Sequence, residues 1–420
     1  MTKATEVFTP GRFPAHTFVE DHLVERKRQL LDTLEAGAML VSISGPSKSG
    51  KTVFVENVLG KHNLIQITGA GAKSATDLWF RVFDLIGTPI SKSESSTSAI
   101  GASISGKGSV EGGVIVAKGK AEASATGTYT ATTSSVEGKA VDHLQMLIKE
   151  LGGTDFVIFI DDFHYVPREV QGEVARQIKE AIRNNVKIIC ASVPYHADDV
   201  IRGNTDLRGR VFSIDFDYWK PDVLSKIAYK GFDKLNIAHR HTVVSKLASE
   251  AAGSPQLMQY LCLNSCFELG VREVSKDAVD FQDDPAKLSS ICRRTALSAD
   301  YGSVVEKMKE GPKTRGADRK IHVSRYGWQG DVYKLLVKAL SLDPPQLTFR
   351  YQSLIDRIAA TCDQDPPSGS SATSACFQIA KIVNDTVGER VVEWDAENDV
   401  FDIHDPYLLF YLRWSDAVDG

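Results

Sequence analysis

Residues Ala38-Met39-Leu40-Val41-Ser42-Ile43-Ser44 run into Gly45-Pro46-Ser47-Lys48-Ser49-Gly50-Lys51-Thr52, and Val53-Phe54-Val55-Glu56-Asn57-Val58-Leu59-Gly60 follows directly. The first run, taken to Gly45, is apolar and uncharged, which predicts a buried parallel strand over 38–45. The third run reads as a helix closed by Gly60. The eight residues from Gly45 to Thr52 fit G-x-x-x-x-G-K-T at every position. Such a loop turns backbone N–H groups inward around phosphate oxygens, and its glycines permit the dihedrals this requires. The helix that follows adds free N–H groups and the positive end of its dipole.

The chain continues the alternation outward. Strands are expected at 63–69, 156–162, 186–193 and 210–216. Helices are expected at 75–86, 139–151 and 168–183, the last with Val170, Val174, Ile178 and Ile182 at steps of four. Strands alternating with helices predict a parallel sheet covered on both faces. The strand Phe156-Val157-Ile158-Phe159-Ile160 ends in Asp161-Asp162. Carboxylates at the C-terminal end of a strand face the crevice where such sheets bind ligands. The motif therefore predicts ATP with Mg²⁺. Gly45, Pro46, Ser47, Lys48, Ser49 and Gly50 form the cradle, Lys51 reaches the β- and γ-phosphates, and Thr52 and Asp161 serve the metal. Asp162 is placed to orient or deprotonate the attacking water. Ser192, closing the fourth strand, is a candidate for touching the γ-phosphate or that water, although a serine there also suits a plain turn.

Between helices 75–86 and 139–151 lies a foreign segment, 91–136, rich in Gly, Ser, Thr, Ala and Val. Its alternation with period two, in two arms about Glu111-Gly112-Gly113, suggests a long β-hairpin. Its composition alone would suit a flexible linker. After 216 helical patterns run to about 300. The stretch 301–330, with Gly-Pro-Lys-Thr-Arg-Gly-Ala-Asp-Arg-Lys at 311–320, reads as a basic linker. Residues 331–420 then give helices near 331–341, 350–361 and 373–386, followed by strands at 390–394 and 399–403. Three helices and a two-stranded wing are the order of a winged helix.

Composition excludes several alternatives. The net charge of −5 does not announce a nucleic-acid binder. The longest apolar runs are far short of the ~20 residues a spanning helix needs. The first residues, Met-Thr-Lys-Ala-Thr-Glu-Val-Phe-Thr-Pro, lack the apolar stretch of a signal peptide, so a cytoplasmic location is expected. Six scattered cysteines offer no second pair to Cys262 and Cys266 and read as reduced core thiols.

Together these pieces resemble the AAA+/STAND group of P-loop ATPases, including an archaeal-type ATPase family and the replication initiators. The resemblance implies an α/β fold with an ASCE-type P-loop sheet, then a helical lid and a winged helix. The implied domains are 1–220, 221–300 and 331–420, with 301–330 as the linker. Residues 17–30 look like the segment that lies against base and ribose. Gly253-Ser254-Pro255 resembles the lid motif whose proline sits near adenine, and the tail 401–414 is similar to the end of the archaeal-type winged helix. Lid arginines usually follow that glycine, whereas this chain has Gln256, which favours a switch over a fast motor; aspartate stands at 162 where glutamate is common, which implies slow hydrolysis. Arg208 or Arg210, before the fifth strand, would stabilise transferring charge in a neighbouring subunit.

Two functional readings follow. One is a slow ATP-driven switch that forms a homo-oligomer and controls a partner or effector protein, with a role in bacterial antiviral defence implied by the resemblance. The other is a DNA-binding ATPase resembling initiators or loaders. Charge weighs against DNA at the winged helix: residues 331–420 hold seven Lys/Arg against fifteen Asp/Glu, a net of −8, while 286–330 hold ten against four, a net of +6. Phosphate binding needs cations, so the basic stretch either meets those acids, an acidic partner, or nucleic acid, the first being preferred.

Overall fold

The computed structural model describes residues 1–88, 142–193, 207, 209–313 and 318–418. The expected hairpin at 91–136 and Arg208 lie outside them. The chain forms two compact units. One comprises Glu25–Ser44 and Lys51–Asp215, the other Met1–Val24, Gly45–Gly50 and Phe216–Gly420.

The first unit holds a sheet of β1 (Leu40–Ser44), β2 (Leu64–Thr68), β3 (Val157–Asp161), β4 (Lys187–Ser192) and β5 (Val211–Asp215) in the order β2-β3-β4-β1-β5. All neighbours are parallel. Every residue of β1 and the first four of β3 are buried, as uncharged strands in the middle of a sheet covered on both faces must be. Helix Ala75–Ile86 starts at Ser74, whose hydroxyl accepts the Asp77 N–H, and stops at Gly87 in the left-handed region. It contributes Trp79, Val82 and Phe83 to a core shared with Val174, Ile178 and Ile182 of helix Arg168–Arg183. The expected parallel architecture is present, with β4 lying between the strand that precedes the loop and the strand that ends in Asp161.

The second unit begins with the chain's first residues. Sequence assigns 1–24 to the sheet domain, but Ala4, Val7, Phe8 and Val19 are buried with helices Pro221–Lys234, His241–Glu250, Pro255–Glu268 and Pro285–Ala296. The Phe8 ring occupies the space where any side chain at Gly231 would stand, and it meets Phe232 edge-on at 5.4 Å. Gln259 donates to the Thr17 hydroxyl at 2.7 Å. The stretch 221–300, expected to be all helix, also carries a parallel pair, Ile237–His239 with Val279–Phe281. Three-residue strands leave no periodicity to read.

Residues 301–330 are not a linker where they are described. Helix Gly302–Glu310 buries Val304, Val305 and Met308 in the C-terminal core, and His322–Ser324 forms a small sheet with Gln329–Gly330 and Cys362–Gln364. Glu306, Lys307 and Glu310 of that helix are exposed, so net charge hid an amphipathic pattern. Several basic residues meet C-terminal acids: Arg319 pairs with Asp331 at 2.5 Å, Lys320 with Asp365, and Arg293 with Asp416 at 3.8 Å.

Residues 331–418 contain helices Val332–Leu340, Tyr351–Thr361 and Gly369–Val387, and an antiparallel sheet in which Val400–Ile403 lies between Thr348–Arg350 and Val392–Asp395. The third helix starts earlier than expected, because the Ser368 hydroxyl caps it by accepting the Ser371 N–H at 3.3 Å. Helix Pro406–Trp414 follows, with a short 3₁₀ turn Asp416–Val418 after it. Its Arg413 has a 5%-exposed side chain with five acceptors for its five donors. Glu250 takes two hydrogen bonds (2.7 and 3.0 Å), Asp343 one (2.6 Å), and the carbonyls of Ser341 and Leu342 one each (2.9 Å). Trp414 adds an indole N–H to Glu250 at 2.6 Å. Helix His241–Glu250 and the C-terminal helix are thereby held together by a buried charge network.

Removing one partner of such a network leaves the other charges uncompensated. Arg413→Ala is expected to lower stability by about 3–5 kcal/mol, and Arg413→Lys to recover only part of it, since a point charge cannot reproduce the fork. Chemical unfolding of both variants checks this.

Candidate nucleotide site

The phosphate-loop sequence divides between the two units. In the unit holding Gly45–Gly50, Gly45 approaches Phe216 so closely that a Cβ would stand 2.5 Å from the Phe216 Cβ and 2.8 Å from its carbonyl oxygen. Lys48 (φ 62°) and Gly50 (φ 94°) both adopt the left-handed region, which costs a non-glycine residue energy unless the surroundings hold it there. Lys48 is held. Its Nζ lies 3.1 Å from Asp405 Oδ2 and 4.1 Å from the centre of the Tyr407 ring. Asp405 also accepts the Tyr301 hydroxyl at 2.6 Å and caps the last helix by accepting the Tyr407 N–H at 2.8 Å. Burial, reinforced by the Asp405 charge, pushes the Tyr301 hydroxyl up from its ordinary range, so it acts as a donor.

Ser47 is exposed, while Pro46 is buried and its carbonyl accepts the Ser49 N–H at 3.3 Å. Ser49 is 1% exposed, and its hydroxyl has no partner among the described residues. Pro255 opens helix Pro255–Glu268, and its Cγ lies 3.9 Å from where a Gly50 Cβ would be. The proline expected near the loop is therefore beside it. The buried Oε1 of Gln256 likewise has no partner among the described residues.

In the other unit, Lys51 and Thr52 head helix Lys51–Leu59. The Thr52 hydroxyl donates to Asp161 Oδ2 at 2.6 Å, joining the end of the motif to the end of β3. Burial pushes the Asp161 carboxyl up, and the Thr52 hydrogen bond opposes that. Burial also pushes the Lys51 ammonium down to about 8, with Asp161 and then Asp162 pulling the other way. Asp162 has left the strand. Its φ of 54° turns the chain sharply, and its N–H donates to Asp161 Oδ1 at 3.0 Å. Sequence reading missed Gly69, the residue after β2, which donates its N–H to the Asp161 carbonyl at 2.7 Å. A Cβ at Gly69 would stand 2.6 Å from the Asp162 carbonyl oxygen. Its signal was a lone glycine after a strand, which on its own suggests only a turn.

Ser192 ends β4 and pairs in register with Ser44, the last residue of β1. Both are buried, and Ser44 donates to Asp215 Oδ1 at 2.5 Å. Arg210 lies at the other end of the sheet. It precedes Val211, which pairs with Leu40, and its carbonyl accepts the Leu40 N–H. Five residues of strand separate it from the level of Ser44, roughly 17 Å. Arg210 therefore cannot serve the carboxylate end of its own sheet.

The donor chemistry fits Mg²⁺ with a nucleotide. A hydroxyl and a carboxylate converge at Thr52 and Asp161, and the described residues contain no cluster of three or more His, Cys, Asp or Glu that could hold a metal alone. Mg²⁺ is held by one or two carboxylates together with phosphates and water, which is the set such a site would supply.

No protein-family profile and no curated protein match the sequence. Among solved structures the chain is similar to the ORC2 protein of Aeropyrum pernix, determined as ADPNP–ADP complexes, with 11% identity, a TM-score of 0.50, and 100% of this chain and 98% of that one covered. It is also similar to a Walker-type ATPase of Pyrococcus abyssi (14% identity, TM-score 0.49, 93% and 95% covered) and to Cdc6p of Pyrobaculum aerophilum (12%, 0.44, 100% and 99%). The likeness is one of fold: an α/β parallel five-stranded sheet with a P-loop, followed by helical and mixed elements, as in that ORC2 protein. Among the described residues no helix is long and apolar enough to cross a membrane.

The depressed Lys51 gives a pH signature. Phosphate oxygens favour the charged ammonium, so a bound polyphosphate raises its pKa above the free value of about 8. Below pH 8 binding needs no added proton. Above it, each bound nucleotide must bring one, and affinity falls by up to about tenfold per pH unit until the bound-state pKa is reached. Titration calorimetry between pH 7 and 9.5, in buffers of differing ionisation enthalpy, would detect the proton uptake.

Proposed function

We propose that the chain is an ATP-binding and slowly ATP-hydrolysing switch, with Gly45–Thr52 around the triphosphate. The observation that carries the reading is the 2.6 Å bond from Thr52 to Asp161 beside the buried Lys51. That bond joins the last residue of the motif to a strand that ends in paired carboxylates, which supports the reading. Bound Mg²⁺ would neutralise phosphate charge, held by Thr52 and Asp161. Lys51 supplies a positive point charge to the β- and γ-phosphates. Asp162, turned away from the strand axis, orients water and accepts its proton. Ser192 lies at the level where it can hydrogen-bond that water or the phosphate. Arg210, remote from the carboxylate end of its own sheet, acts on a neighbouring subunit's site in a homo-oligomer.

For the partner, likeness of fold to an ORC2 protein supports the initiator-like alternative better than a role in antiviral defence, and the defence expectation is set aside. We read residues 331–418 as a winged helix from their order of helices and strands. Its acids, and the pairing of Arg319, Lys320 and Arg293 with them, leave other surfaces to carry contact with DNA or with a partner protein.

Lys51→Ala is expected to abolish measurable Mg·ATP binding while melting stays near wild type, because the lysine is the first residue of its helix, belongs to none of the apolar cores, and carries a desolvated charge whose removal relieves a cost. Asp162→Asn should keep binding and slow turnover by about 10²-fold or more. Equilibrium binding and steady-state hydrolysis on both variants separate the two roles; equal turnover in Asp162→Asn would return it to a turn residue.

The initiator-like reading predicts that duplex DNA raises ATP turnover at moderate salt, and that the stimulation fades as salt rises. Hydrolysis unchanged by DNA at any salt, with the protein assembling on ATP alone, would favour the protein-controlling switch.

A further inference from the structure

We infer that Trp219 is a positioning residue of the phosphate loop: its indole N–H pins the Ser49 carbonyl outward and so aims the Gly50 N–H at the phosphates. The inference rests on the proposed phosphate-binding role of Gly45–Thr52.

The Trp219 Nε1–H donates to the Ser49 carbonyl at 3.0 Å. Ser49 is only 1% exposed, so water cannot satisfy that carbonyl, and a buried acceptor left unpaired is costly. In a trans peptide the C=O and the next N–H point in opposite directions from one plane. A carbonyl held on the indole therefore fixes the Gly50 N–H on the other side. The restraint matters here because Gly50, at φ 94°, has no Cβ to stop its peptide from rotating.

The indole is itself fixed. The Trp219 backbone N–H donates to the Gly253 carbonyl at 3.0 Å, which ties the residue to the turn before helix Pro255–Glu268. The His22 ring meets it edge-on, centres 4.2 Å apart. On its loop side, Trp219 Cζ2 lies 3.8 Å from where a Gly50 Cβ would stand. One face of the loop is thus built by a ring, and the Gly50 N–H lies on the side of the peptide away from it. An alternative role, stacking of the indole on the base, makes a different prediction and is separated by the choice of probe.

The test uses the full chain and two probes, Mg·ATP and Mg·tripolyphosphate, the second having phosphates but no base. Trp219→Phe keeps an aromatic ring and removes the donor. Both affinities are expected to fall by the same factor, about tenfold, with KM raised and turnover at saturating ATP less affected. Unchanged affinities would overturn the inference, as would a loss confined to ATP, which would put the ring on the base. Failure of the unsubstituted protein to bind either probe would instead count against the phosphate-site reading itself. Should Trp219→Phe not fold, linkage offers a second measurement: a bond that favours phosphate binding must be favoured by it in return. In unsubstituted protein with ¹⁵N-labelled indoles, tripolyphosphate should slow hydrogen exchange at one indole N–H, and slowing at none would overturn the proposal.

Discussion

A loop that turns its N–H groups toward a polyanion must turn carbonyls away from it, and each carbonyl hidden from water then needs a donor of its own. Much of the architecture around residues 45–50 follows from that requirement. Gly45 is glycine because the backbone of Phe216 leaves no room for a side chain. The Ser49 carbonyl finds the Trp219 indole, and the left-handed turn at Lys48 is retained by an ion pair with Asp405. The partners come from residues 216–219 and 405, far along the chain. A motif eight residues long is therefore supported by side chains that no local pattern would associate with it.

The same dependence on distant residues explains why this segment belongs with the helical unit. That unit's core gathers Phe8, Phe232, Phe281 and Phe410, from the chain's start, middle and end. The Arg413 network adds a directional component, because its fork must meet Glu250, Asp343 and two carbonyls together. Apolar burial supplies most of the cohesion without choosing a geometry; the saturated arginine supplies the geometry, at the cost of desolvating its charge.

At the sheet, two carboxylates of similar sequence context become chemically different. Asp161 is drawn into the structure by the Thr52 hydroxyl and by burial, while Asp162 turns out of the strand at a positive φ that Gly69 makes room for. Two carboxylates adjacent in sequence are thus set apart by one peptide bond and a change of backbone region.

By itself the sequence determined the parallel sheet and its loop, since largely apolar strands of five or six residues, a glycine-lysine-threonine motif and amphipathic helices such as 75–86 and 168–183 are local patterns with one economical arrangement. It also determined the candidates at 45–52 and 161, because anion and metal binding require those residue types in that spacing. Tertiary structure alone decided that residues 1–24 leave the sheet domain, that the described residues of 301–330 fold instead of linking, and that Arg210 stands at the far end from Asp161. It alone brought Trp219 to Ser49 and Asp405 to Lys48. The physical reason is range: propensity and periodicity act over a few residues, whereas a buried carbonyl or a left-handed lysine is satisfied by whatever donor or acceptor the packed chain carries to it, and that partner leaves no trace in the neighbouring sequence.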